Sequence, residues 1–129
     1  MNLFARLKQL KIMLIDDDEW IRDAMRIFFE YEGCALATFE TAEEALQALD
    51  GQRFDIIIAD YKLPGMDGIT FFKRLDMPGD SPIKILITAY HSRTVAEMTR
   101  EAGIHALIEK PFQPETIEST LSQLLNRTG

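Results

Sequence analysis

Short apolar runs alternate with amphipathic stretches along the chain. The runs are Ile12 to Ile15, Cys34 to Phe39, Ile56 to Ala59, Ile83 to Ile87 and Ala106 to Ile108. Runs this short, apolar at successive positions, suit strands covered on both faces, as in a parallel sheet. The stretches between them carry helical spacing. Ile21, Ala24, Met25 and Phe28 recur on one face, and Gly33 stands where that helix should stop. Thr41 and Glu44 form a capping box ahead of Ala45, Leu46, Ala48 and Leu49. Gly68 to Leu75 reads as a third, shorter helix, closed by the breaker-rich Met77-Pro78-Gly79-Asp80. Ser92 or Thr94 caps a fourth that runs to Gly103, and Pro114 opens a fifth that ends near Leu125. Five strands, each followed by a helix, predict a doubly wound α/β sandwich. Met1 to Leu10 is left over; Leu3, Leu7 and Leu10 could line a short helix, but a frayed start is the expectation.

Composition narrows the class. A chain of 129 residues with 47% hydrophobic side chains is one ordinary globular domain. No apolar run approaches the ~20 residues of a membrane span. The single cysteine, Cys34, excludes an internal disulfide framework and agrees with a cytoplasmic location; it reads as a small buried hydrophobe. The net charge of −7 argues against direct nucleic-acid binding, which needs surplus Lys and Arg. That charge is unevenly spread: Asp16 to Asp67 holds a net −10, and the rest of the chain +3.

The acids matter most where strands end, because ligands of open parallel sheets bind beyond the strands' carboxyl ends. The first strand runs into Asp16-Asp17-Asp18-Glu19 and the third into Asp60; the fourth ends in Thr88-Ala89, and the fifth in Glu109-Lys110-Pro111-Phe112. With strands 1 and 3 adjacent, Asp16, Asp17 and Asp60 crowd one crevice and repel unless a cation lies between them. Oxygen ligands with room for water suit Mg²⁺, which takes one or two carboxylates and a substrate phosphate.

These residues carry a resemblance. Ile12-Met13-Leu14-Ile15-Asp16-Asp17-Asp18, Ile56-Ile57-Ile58-Ala59-Asp60, Leu63-Pro64-Gly65-Met66-Asp67-Gly68, Ile85-Leu86-Ile87-Thr88-Ala89 and Lys110-Pro111-Phe112 resemble the receiver domains of two-component response regulators. The resemblance implies a flavodoxin-like (βα)5 fold with strand order 2-1-3-4-5. It divides the chain into an N-terminal extension (1–10), a receiver domain (11–126) and a C-terminal tail (127–129). It makes Asp60 the phosphoacceptor for a phosphoryl group from a histidine kinase or histidine phosphotransfer protein. Asp17 and Asp60 then ligate Mg²⁺ directly with the backbone carbonyl of Lys62, and Asp16 acts mainly through a water. Lys110, joined to Pro111 by a cis bond, reaches the phosphoryl oxygens, and Thr88 hydrogen-bonds the phosphoryl on arrival. The outcome is a switch rather than an enzyme with an outside product. It acts through the fourth helix, fifth strand and fifth helix on an effector or linked output domain. That face offers Arg93, Glu97, Arg100, Glu101, Glu115 and Glu118, a mixture that identifies no partner.

Two positions depart from the family pattern or tune it. Leu107 stands where receivers often carry the aromatic that changes rotamer on phosphorylation. Lys62 and Tyr90, two residues past Asp60 and Thr88, occupy positions that set phosphoryl lifetime in the family, and a cation with a ring there can shield the acyl phosphate from water. Two rival readings exist. Asp16-x-Asp18 superficially fits a haloacid-dehalogenase-like phosphatase but leaves Asp60 and Lys110 unexplained. A receiver-like scaffold that is never phosphorylated is the other. Asp18 and Glu19 read as the favourable opening of a helix, and Asp67 as a loop-shaping residue. An EF-hand fails because Trp20 and Ile21 stand where an oxygen ligand and Gly are needed. His91 and His105 read as surface or boundary residues, and Trp20 as partly exposed near the site.

Overall fold

The computed structural model describes residues 2–75, 82–90 and 92–128. Eleven elements follow in the order α1 (Leu3–Leu7), β1 (Ile12–Ile15), α2 (Glu19–Tyr31), β2 (Leu36–Phe39), α3 (Ala42–Leu49), β3 (Ile56–Asp60), α4 (Gly68–Arg74), β4 (Ile83–Thr88), α5 (Arg93–Glu101), β5 (Ala106–Glu109) and α6 (Pro114–Thr128). The predicted fourth and fifth helices are therefore α5 and α6. All strand pairs are parallel and the sheet order is β2-β1-β3-β4-β5. The doubly wound architecture and the 2-1-3-4-5 order both hold.

Alternation along the central strands explains why one sheet carries two cores. Ile12, Leu14, Ile56, Ile58, Ile85 and Ile87 face one side, where Met25 and Phe29 of α2 and Ile117 and Leu121 of α6 cover them. Met13, Ile15, Ile57, Ala59 and Leu86 face the other, under Ala45 of α3, Phe71 and Phe72 of α4 and Val95 of α5. A strand covered on both faces has no polar side, which is why these runs are apolar at every position.

Caps fix where the helices begin. Asp18 accepts from Trp20 N, Asp67 from Thr70 N and Ser92 from Val95 N; Thr41 accepts from Glu44 N at 3.1 Å. Ser92, not Thr94, is thus the cap of α5. Each cap is worth about 1 kcal/mol. Gly33 closes α2 at φ +80°, a left-handed conformation that a side chain would resist.

Four expectations change. The frayed start is instead α1: Asn2 caps it, Leu7 is wholly buried, Phe4 meets the Phe28 ring edge-on, and Arg6 Nη2 donates to the Leu125 carbonyl of α6 at 3.1 Å. Five residues make too short a helix to be stable alone, so docking supplies what propensity does not. β2 begins at Leu36 rather than Cys34, whose thiol is buried beside the carbonyls of Phe4 and Glu32. α6 continues through Thr128, past Leu125 and into the expected 127–129 tail. α4 ends at Arg74; the breaker run Met77 to Asp80 and His91 lie outside the described residues.

Candidate functional site

The parallel register sets the ends of β1, β3, β4 and β5 side by side. Asp16 follows β1, Asp60 ends β3, Thr88 ends β4 and Lys110 follows β5. Carboxylate oxygens of Asp16, Asp17 and Asp60 lie within 4.8 Å of one another. Asp16 and Asp60 are buried and Asp17 is exposed, so the cluster opens to solvent on one side. Lys110 Nζ stands 3.0 Å from both Asp16 Oδ2 and Asp60 Oδ2. Gly68, the first residue of α4, packs so tightly that a Cβ there would collide with the Asp60 carbonyl. Its missing side chain lets α4 begin directly against the end of β3.

The electrostatics follow from a charge surplus. Burial raises the pKa of Asp60 to about 6, the Asp16 carboxylate adds to the rise, and Lys110 opposes it. Burial also raises the pKa of Asp16, against the Asp18 N–H and Lys110. For Lys110 burial alone acts downwards, but its bonds to Asp16 and Asp60 prevail and the net shift is upwards. The acids rise chiefly because they are buried, with mutual repulsion adding to it, and the base rises because it is bonded to both of them.

The donor set fits a hard dication. It is all oxygen, it is negative in excess, and Asp16 Oδ2 makes no hydrogen bond although it pairs ionically with Lys110. Such a site can hold Mg²⁺ with waters completing its octahedron.

The side chains of Thr88 and Lys62 make their contacts with Tyr90 rather than with the carboxylates. The buried Thr88 hydroxyl accepts from Tyr90 N at 2.8 Å and donates to the Tyr90 carbonyl at a long 3.4 Å. The Lys62 ammonium lies 5.4 Å from the Tyr90 ring centre, and Tyr61 meets that ring edge-on at 6.5 Å. Asp18 opens α2 as its cap, and Asp67, expected to shape the loop, caps α4. His105 accepts from Lys84 N at 2.9 Å, a contact far from the carboxylates in the fold. Lys110–Pro111 is cis.

Sequence reasoning gave two features too little weight. Trp20 is 84% exposed and stands beside an apolar cleft of about 520 Å³ that reaches Lys110, lined also by Ile21, Ala24, Met25 and Phe112. Arg22 donates to the Asp16 carbonyl at 2.8 Å. The exposed half of the α2 pattern could have disclosed the first; nothing local discloses the second.

Comparison with known proteins defines the class. The family model described as response regulator receiver domain matches residues 12–122, and the chain belongs to that family. It is 34% identical over 118 residues to the sporulation initiation phosphotransferase F of Bacillus subtilis (strain 168), covering 89% of this chain and 93% of that protein. It is 30% identical over 117 residues to the transcriptional regulatory protein FixJ of Bradyrhizobium diazoefficiens, covering 90% and 57%. Among solved structures, the CheY-like receiver domain protein of Methanospirillum hungatei JF-1 superposes with a TM-score of 0.83 at 29% identity, covering 92% of this chain and 95% of that one. The chain spans about a quarter to just over half the length of the transcriptional regulators it matches. This protein is thus a receiver domain of the two-component response regulators, a phosphorylation switch by class. Family membership displaces the phosphatase reading. Among the described residues, no helix is long and apolar enough to cross a membrane.

Proposed function

We propose that Asp60 is the phosphoacceptor, taking a phosphoryl group from a phosphohistidine on a kinase or phosphotransfer protein. The observation that carries this is the convergence of three carboxylates and Lys110 at the ends of adjacent strands. Asp60 attacks phosphorus through a carboxylate oxygen, the P–N bond to histidine breaks, and an acyl phosphate forms. With a pKa of about 6, Asp60 is ionised at neutral pH and able to attack. Asp16, Asp17, Asp60 and the Lys62 carbonyl would hold Mg²⁺, which supplies charge neutralisation and alignment of the phosphoryl oxygens when bound. Lys110, already 3.0 Å from Asp60, has only to follow the carboxylate's new oxygens.

Thr88 couples the event to the surface. Its hydroxyl proton sits on the long bond to Tyr90 and is cheap to redirect to a phosphoryl oxygen, which draws the β4–α5 loop inwards. With Leu107 on β5, this loop carries the switch to α5, β5 and α6 without an aromatic rotamer change. The receiver unit is residues 11–126, on which α1 (Leu3–Leu7) docks. It acts in the cytoplasm, and its output is an effector or a linked domain.

Incubation with Mg²⁺ and acetyl phosphate tests the reading. Intact-protein mass rises by one phosphoryl group in wild type and stays unchanged in Asp60→Asn. A wild type that never gains that mass is a scaffold and overturns the proposal. Gain that survives in Asp60→Asn and disappears in Asp16→Asn overturns the assignment of the nucleophile.

A further inference from the structure

The carbonyl of Asp16 belongs to the peptide that joins Asp16 to Asp17, so its direction sets where Asp17 stands. Every polar group of Asp16 is fastened from a different place. Its N–H donates to the Phe39 carbonyl at the end of β2, and its Oδ1 accepts from Asp18 N at 2.9 Å. Its Oδ2 pairs with Lys110. Its carbonyl accepts from Arg22 Nη1 at 2.8 Å. Arg22 stands one turn into α2, its side chain only 13% exposed, and its Nη2 reaches Glu40 Oε1 at 3.4 Å in the β2–α3 loop. A single guanidinium therefore ties α2, the acidic turn and the β2–α3 loop together.

We infer that Arg22 is a positioning residue for the cation site: it holds the Asp16–Asp17 peptide in the orientation that presents Asp17 beside Asp60. The inference rests on the cation site of the preceding reading. Two effects of Arg22 on Mg²⁺ oppose each other. As a buried positive charge close to the cluster it repels a dication. As a clamp it keeps the carboxylates in place, so that binding does not have to order them. The clamp prevails, because the bond to the carbonyl is short and charge-assisted, whereas the charge is partly offset by Glu40. Groups that orient metal ligands without touching the metal commonly govern affinity by about 10- to 100-fold. Lysine is no substitute, since a point ammonium lacks the planar fork that reaches the carbonyl and Glu40 together.

Calorimetric titration of the full chain with Mg²⁺, beside thermal melts in EDTA, tests this. Arg22→Ala and Arg22→Lys are expected to bind Mg²⁺ about tenfold more weakly than wild type. Glu40→Gln, exposed and outside the carboxylate cluster, weakens binding in the same direction by a smaller factor. A purely structural role moves the melting temperature and leaves the Mg²⁺ affinity of the folded protein untouched. Unchanged or tighter Mg²⁺ binding in Arg22→Lys, or in a folded Arg22→Ala, overturns the inference. If Arg22→Ala does not fold, Arg22→Lys and Glu40→Gln decide it by the same criterion. Failure of wild type itself to bind Mg²⁺ overturns the underlying cation-site reading, and the clamp with it.

Discussion

Lys62 and Tyr90 stand two residues past Asp60 and Thr88, each in a loop beyond a strand end, and their contact is a cation over an aromatic face. Tyr90 is 52% exposed, so the pair belongs to the surface rather than the core, and it would act on an acyl phosphate only as a lid. An acyl phosphate on Asp60 is hydrolysed by water arriving in line, and a lid over that approach lengthens its life. A partly exposed cation–π contact of about 0.5–1 kcal/mol corresponds to roughly two- to fivefold in rate. Lys62→Ala and Tyr90→Ala are each expected to speed dephosphorylation by that factor, and the double variant by little more than either alone. Mass-resolved decay after removal of acetyl phosphate measures it; unchanged decay in both single variants refutes the lid. Asp16, Asp60, Thr88 and Lys110 were legible in the sequence because each sits where an apolar run stops, a position with chemical meaning in a parallel sheet. Arg22 was not legible. Its partner is a backbone carbonyl, and no side-chain pattern records a carbonyl's direction.

At the scale of elements, α2 is the least finished surface. Ile21, Met25 and Phe28 turn towards the core as their spacing foretold and Phe29 joins them, whereas Ala24, expected on the same face, is exposed. Trp20, Ala24, Ile27 and Tyr31 are exposed and fall at intervals of four, three and four, a second apolar line along the same helix. Trp20, Ile27 and Tyr31 are 84, 68 and 87% exposed, and the line runs into the cleft beside Lys110. On the proposed function a protein phosphodonor has to bring its histidine to Asp60, and this line with its cleft would give a donor helix an apolar seat beside Lys110. Ile27→Glu is therefore expected to slow transfer from a phosphohistidine protein by tenfold or more, since burying a charge against an apolar partner costs well over the ~1.4 kcal/mol that tenfold requires. The same variant should accept phosphoryl from acetyl phosphate at the wild-type rate, because Ile27 is remote from the carboxylates. Equal slowing with both donors would mean that Ile27 supports the fold and not docking. Helix α1 shows the converse limit of legibility. Its leucines were visible, but five residues carry no decisive period; Phe4 against the Phe28 ring, Arg6 on the Leu125 carbonyl and the Asn2 cap hold it as a helix.

Taken whole, the molecule keeps its functional charge at the expense of its stability, and pH exposes this. Asp60 has a pKa of about 6 in the fold against an ordinary 3.8, so between those values the folded state holds a proton that the unfolded chain has released. Stability contributed through Asp60 therefore increases as pH falls from 6 towards 3.8, and the full cost of its charge is borne above 6. His105 works in the opposite sense. Burial and Lys84 lower its pKa below 6.5, so the folded state loses stability as pH falls beneath that value and the unfolded chain takes up the proton. Wild type alone would show these two summed with Asp16, whose raised pKa acts in the same sense as that of Asp60. The difference between wild type and Asp60→Asn reports the Asp60 carboxylate together with its pairing to Lys110, because both proteins carry His105 and Asp16. Without Mg²⁺ at pH 7, Asp60→Asn is expected to be more stable by on the order of 1–3 kcal/mol, and the advantage should shrink steadily to about zero near pH 4. Saturating Mg²⁺ at pH 7 should also erase it, since a ligand at 100 times its Kd adds about 2.7 kcal/mol to the protein that binds it. Urea midpoints across pH, with Mg²⁺ or EDTA, measure all of this. A difference that ignores both pH and Mg²⁺ would mean that the carboxylate cluster carries no stored repulsion for a cation to relieve.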